Sequence, residues 1–210
     1  MFDDLIECSN NIQTEAGVSP VMFVSNAVLF PGCLIPIRVF ESRYRMMLKD
    51  VLCGNRTFIL SFHTEGLTQG MTGSLGLVRS CVDQRDGTSI LMLEGLKRVL
   101  LQQRVGENPY PTWKYQTSHN TDDFEMLDKT LVENLRNQIQ QLNKQVGFDF
   151  ELYCSTESVF EITSTCDRLI DITIHSLSFK KEFFNCLSTE RKIKQTLDVI
   201  DTINRGAIKI

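Results

Sequence analysis

The chain has 210 residues, 42% of them hydrophobic and 23% charged, with a formal net charge of -4 and a pI near 5.4. That length suits one domain or two small units, with enough buried surface to hold together without disulfides or metal. The acidic balance argues against a nucleic-acid partner, whose usual mark is a basic excess, and no run approaches the ~20 apolar residues that span a bilayer.

Residues 21–29 are predicted as a strand ended by a Pro31-Gly32 turn, and residues 34–39 as a second strand. Pro36 places that second strand at an edge or an irregular position, because proline cannot donate to a ladder. Phe40, Tyr44, Met47, Leu48 and Val51 recur at helical spacing and predict one amphipathic helix, closed by Gly54 in a left-handed conformation. Residues 57–62, 75–82, 89–94, 99–105 and 113–117 read as further strands, with Asp86-Gly87 turning the hairpin between the second and third of these. Short strands with a single helix imply a small, partly closed barrel. An ion pair between Glu94 and Arg98 is expected across its strands.

The texture changes at the polar joint Ser118-His119-Asn120-Thr121-Asp122, beyond which proline is absent and glycine rare. Leu127, Leu131, Leu135, Ile139, Leu142 and Val146 form one helical stripe, stopped by Gly147. A second helix is predicted over 156–177, apolar on more than one side and therefore central to a bundle. A short segment over 180–186 follows. The last helix starts at Ser188 or Thr189, buries Ile193, Leu197, Ile200 and Ile203, and stops at Gly206. The fold class is α+β: a β-rich part over 18–118 and a helical part over 122–206, within a single domain spanning 1–210.

Chemistry-bearing patterns are sparse. The seven cysteines, at 8, 33, 53, 81, 154, 166 and 186, are odd in number and form no CxxC, so reduced thiols without metal are expected. The stretch Gly70-Met71-Thr72-Gly73 lacks the lysine of a P-loop, and His63, His119 and His175 lie far apart in sequence. No catalytic, metal-binding or cofactor-binding residue is expected. The start MFDDLIEC lacks the positive charge of a secretory signal, which points to a cytoplasmic protein.

Two blocks carry a family resemblance. The first comprises Val28-Leu29-Phe30-Pro31-Gly32, Ile35-Pro36-Ile37-Arg38-Val39-Phe40 and Glu41-Ser42-Arg43-Tyr44. The second runs over 73–101, with Asp86-Gly87 at its turn and Glu94-Gly95-Leu96-Lys97-Arg98 beyond it. With Pro109-Tyr110 and the closing CLSTERKIKQTLDVI, these resemble the N-terminal domain of Lon proteases, in order and along nearly the whole chain. Phe23 and Ser42 stand where that family often has proline. The resemblance implies a PUA-like pseudo-barrel followed by a helical lobe, with no ATPase or peptidase in these 210 residues. It also implies binding of unfolded or tagged proteins or peptides, an ATP-dependent protease as a candidate partner, and a monomer or weak homodimer.

The surfaces for such binding must be apolar grooves or a free strand edge. The candidates are Phe23, Phe30, Phe40 and Trp113 as apolar anchors, Pro36 on the edge strand, and Arg38 and Arg43 beside them. The competing reading is an RNA-binding PUA-like module, for which Arg38, Arg43, Arg45, Lys49 and Arg56 would touch phosphates.

Overall fold

The structure is a computed structural model that describes residues 15–66, 70–118, 127–146 and 158–206. Among these residues it is α+β, with a mixed six-stranded sheet and five helices. The strands are β1 (Ala16–Phe23), β2 (Leu34–Val39), β3 (Thr57–Ser61), β4 (Met71–Asp83), β5 (Ser89–Gly106) and β6 (Thr112–Thr117). Their order is β2-β5-β4-β3-β1-β6, and β6 also pairs with β5, so five strands close on themselves while β2 stays at an edge. Only β1 and β3 run parallel.

Strand β5 makes this closure. Residues 89–94 and 99–105, predicted as two strands, are one continuous strand. Its first half pairs with β2 and its second half with β6. Register shifts against β4 between Leu75 and Gly76 and between Val78 and Ser80 supply the bend. The Asp86-Gly87 turn joins β4 and β5 as expected, with the Asp86 side chain accepting from the Thr88 backbone N–H at 3.0 Å. At Gly95 a Cβ would stand 2.2 Å from the Phe30 carbonyl oxygen. The chain entering β2 therefore lies against β5 only because that position is glycine.

The first strand departs from expectation. It spans Ala16–Phe23 rather than 21–29, and the chain turns at Ser25 and Asn26. The apolar run Val28-Leu29-Phe30 is buried without joining a ladder. A run that is buried on all sides lacks the alternation that marks a half-buried strand.

Helix α1 (Ser42–Cys53) follows β2 and buries Tyr44, Met47, Leu48 and Val51 against Ile37, Val39, Phe58, Leu91 and Leu93. Phe40, predicted on that face, precedes the helix and is exposed. Gly54 has φ -109°, and the left-handed residue is instead Arg56, at φ 61°. A second small core fills the closed part of the sheet around Val21, Ile59, Met71, Val99, Leu101 and Trp113.

The helical half comprises α2 (Lys129–Val146), α3 (Val159–Thr173), α4 (Leu177–Asn185) and α5 (Thr189–Asn204). Leu127, Leu135, Ile139 and Leu142 are buried as the stripe predicts, and Leu131 is partly buried. Gly147 and most of the polar joint lie outside the described residues. The helix predicted over 156–177 ends at Thr173, and residues 180–186 belong mainly to α4, which Ser176 caps. The third core joins the halves: Phe30 and Phe62 from the β-rich half pack among Phe183, Phe184, Ile170 and Ile193.

Candidate functional site

The site begins where the sheet is left open. Past Pro20, β1 no longer pairs with β6, and β2 pairs only with β5. The end of β1 and the exposed side of β2 are thus two walls of one groove of about 730 Å³. Phe23, Val24 and the turn residues Ser25, Asn26 and Ala27 form one wall; residues 36–41 form the other, with Tyr44 of α1 between them.

Local chemistry fixes both walls. The Phe23 backbone N–H donates to the Tyr44 hydroxyl at 3.1 Å, which satisfies a strand edge that has no neighbour there. Burial pushes the Tyr44 phenol above its ordinary value, so it stays neutral as that acceptor. Arg43 lies 4.5 Å over the Tyr44 ring and donates to Glu41 at 3.0 Å and to Glu65 at 2.6 Å. Arg104 reaches the other Glu65 oxygen at 3.3 Å. On the opposite wall Arg38 donates to Asp86 at 2.7 Å. The groove therefore has its charged side chains paired, and polar residues (Ser25, Asn26, Tyr44) share its lining with apolar ones (Met22, Phe23, Val24, Ile37, Val39). Phe40 is 64% exposed at its rim, and Pro36 shows the edge a residue that cannot donate.

Four of the seven candidate residues, Phe23, Pro36, Arg38 and Phe40, line this groove together. Arg43 stands beside it, behind Tyr44. Phe30 and Trp113 are brought elsewhere. Phe30 is fully buried against Phe183 and Phe184, with ring centroids 6.2 and 5.7 Å away, and Trp113 is buried inside the closed sheet. Neither reaches a surface on which a partner could lie. Sequence reasoning missed Tyr44 and the turn at residues 24–27 as groove residues. Tyr44 was legible as the buried partner of the helix, and nothing in its pattern announces that its hydroxyl faces a backbone edge.

The groove lining contains neither histidine nor cysteine, so no nucleophile–base pair of Cys–His or Ser–His type lines it. Among the described residues no cluster of three or more His, Cys, Asp and Glu side chains is arranged to hold a metal ion. The Cys33 thiol is pushed up to about 12, chiefly by burial and then by Asp171 and Asp167, which keeps it protonated and unreactive. No described helix is long and apolar enough to cross a membrane.

The sequence model of the ATP-dependent protease La (LON) substrate-binding domain matches residues 18–202. The chain belongs to this family. Lon protease of Desulfosudis oleivorans is 22% identical over 185 residues, covering 84% of this chain and 23% of that protein. Lon protease of Dictyoglomus thermophilum is 19% identical over 210 aligned residues, covering 93% and 26%. The chain thus spans about a quarter of the length of these relatives. In structure, it resembles the N-terminal domain of a Mycobacterium avium complex Lon protease, with a TM-score of 0.65 at 12% identity over 88% of this chain and 98% of that one. The Lon N-terminal domain protein of Xanthomonas campestris follows, with a TM-score of 0.58 at 18% identity over 87% and 98%. The family match is to the substrate-binding domain and not to the ATPase or protease domains of Lon, so it indicates no catalytic activity. Within the Lon family match, the groove is built from residues 22–44.

Proposed function

We propose that this Lon-type domain is a non-catalytic module that binds unfolded or tagged polypeptides and serves as an adaptor, delivering them to an ATP-dependent protease. In this reading residues 18–118 form a PUA-like pseudo-barrel lobe and residues 122–206 a helical lobe. The module acts in the cytoplasm as a monomer or weak homodimer. Phe23, Pro36, Arg38, Phe40 and Arg43 make or flank its contact surface, and Phe30 and Trp113 hold the lobes in shape.

The observation that carries this reading is the exposed Phe40 on a groove of mixed polar and apolar lining between two strand edges. A large apolar side chain left in water beside a concave surface that holds further apolar side chains and a few polar groups is a common mark of a binding site. Burying it against an incoming side chain would contribute about 1.5–3 kcal/mol, enough to matter for a transient capture step. Sequence-independent burial of this kind suits chains that share only exposed apolar residues.

The test is fluorescence anisotropy with dye-labelled β-casein, an unfolded polypeptide. Phe40→Ser should weaken binding about tenfold without lowering the melting temperature, because the side chain is already exposed. Binding to the unaltered chain should persist at high salt, as apolar burial does and phosphate contacts do not. Absence of binding, or equal affinity for the two proteins, would refute the assignment.

A further inference from the structure

The basic cluster noted in the sequence is divided by the fold. Arg38 is paired with Asp86, Arg43 with Glu41 and Glu65, and Arg56 turns to the Arg79 carbonyl. Arg45 and Lys49 are different. Arg45 donates to the Gly87 carbonyl at 2.9 Å and lies 3.5 Å from the Ser42 hydroxyl, both uncharged acceptors. Lys49 is exposed, and neither cation has a carboxylate partner within 4.0 Å among the described residues.

Both cations line a second groove, of about 600 Å³, between α1 and the β4–β5 hairpin. On the helix wall Ser42, Arg45, Met46, Lys49 and Leu52 follow one another at helical spacing along a single stripe. Met46 and Leu52 are exposed large apolar side chains on that stripe. The hairpin wall is Gly87, Thr88, Ser89 and Asp83. Asp83 is the one acidic residue of the lining, and its carboxylate is engaged by the Ser89 hydroxyl at 2.7 Å. A groove that is net positive on an acidic protein, with apolar side chains interleaved between its cations, selects by two criteria at once.

We propose that this second groove docks a polypeptide segment that alternates acidic and apolar side chains, its carboxylates meeting Lys49 and Arg45 and its apolar side chains covering Met46 and Leu52. Charge complementarity decides the occupant. A purely apolar segment would leave both cations covered without a counter-charge, and a nucleic acid would leave Met46 and Leu52 uncovered. The surface is separate from the groove at Phe40 and does not depend on what that groove binds.

The probe is a short dye-labelled peptide of leucine and glutamate, titrated with the full chain and followed by anisotropy. It should bind saturably, and its leucine–lysine counterpart should not. Lys49→Glu should weaken binding about tenfold and Lys49→Arg should retain it, while melting temperatures match because Lys49 is exposed. Phe40→Ser should leave this binding in place. The proposal is overturned if the leucine–glutamate peptide does not bind, if Lys49→Glu binds as well as the unaltered chain, or if Phe40→Ser removes the binding. Displacement of the peptide by oligouridylate with a steep salt dependence would overturn it in favour of a nucleic acid.

Discussion

His63 stacks on Phe62, with ring centroids 4.6 Å apart, where the sheet meets α4. Its Nε2 lies 3.2 Å from the Thr72 hydroxyl, which donates in turn to Asn185 at 2.6 Å. Burial, and then the nearby Lys181 charge, lower its pKa below the ordinary 6.5. The unfolded chain therefore takes up the proton more readily than the folded one. Stability is complete above about pH 6.5 and falls as pH drops below it, until the folded ring is itself protonated. His63→Gln should make the fall of melting temperature between about pH 7 and 5 shallower, and an unchanged slope would exclude this ring as its source. Neighbours of this kind are invisible in sequence, since Thr72, Lys181 and Asn185 are brought to His63 only by tertiary packing. The same holds for Arg98. The sequence offers Glu94 as its partner, whereas the structure pairs Glu94 with Arg79 and turns Arg98 inward to Asp167. At Gly54 the local rule pointed to the right turn and the wrong residue, because the chain runs on and takes φ 61° at Arg56, whose N–H bonds Val51 O at 3.0 Å.

Among the helix starts, that of α5 was marked in the sequence, whereas α3 was expected from 156 and begins at Val159, and α4 was expected only as a segment from 180 and begins at Leu177. Ser158, Ser176 and Ser188 each precede a helix and accept from the backbone N–H three residues on. At Ser158 the cap is reinforced by Glu161, whose carboxylate accepts from the Ser158 hydroxyl at 3.2 Å. Ser188→Ala removes one such acceptor from the helix that carries Ile193 and Ile200 in the core, and should cost about 1 kcal/mol in urea denaturation. Ser188→Asp should restore that loss, since a carboxylate caps as well and suits the positive helix end. The boundary between α3 and α4 was hidden for a related reason. Ile174, His175 and Ser176 contain no glycine or proline, and apolar spacing runs through them, so only the extended backbone of Ile174 and the Ser176 cap reveal the break. Strand β5 failed in the opposite sense: Gly95 looks like a strand breaker, but here it admits the Phe30 carbonyl against a continuous ladder. The candidate groove was half legible. Pro36 and Arg38 follow from edge-strand logic, whereas Phe40 carried the spacing of the helix's apolar face and is exposed, and Phe30 and Trp113 have the same composition signal and a buried fate.

At the scale of the molecule, two kinds of buried contact join the β-rich half to the helices, beside the more exposed hydrogen bonds of Thr72 to Asn185 and of Lys181 to the Ser25 carbonyl. One is aromatic: Phe30 and Phe62 pack against Phe184, with Phe62 meeting its ring edge-on at 5.4 Å. The other is ionic and buried. Asp167 of α3 is 1% exposed, and one of its oxygens takes both Arg98 of β5 at 2.7 Å and Lys192 of α5 at 3.2 Å. Arg98 also donates to the Phe184 carbonyl at 3.0 Å, so a single guanidinium reaches α3 and the end of α4 from the sheet. Burial lowers the Lys192 pKa, with Asp167 opposing. Two cations thus depend on one carboxylate, and removing each side has a different cost. Asp167→Ala leaves two buried cations without their counter-charge and should destabilise the fold by roughly 3–5 kcal/mol. Lys192→Met keeps the Arg98–Asp167 pair and places an apolar chain beside Phe183, so its cost should be within about 1 kcal/mol. Trp113, the one tryptophan, reports the closed sheet, and far-UV circular dichroism reports chiefly the helices. In the unaltered chain both signals should be lost in one urea transition. With Asp167→Ala the helical signal should be lost first, because the ionic joint no longer ties it to the sheet. If the two signals still coincide at the lower midpoint, the coupling between the halves does not need Asp167, and the aromatic contacts of Phe30 and Phe62 with the remaining hydrogen bonds carry it.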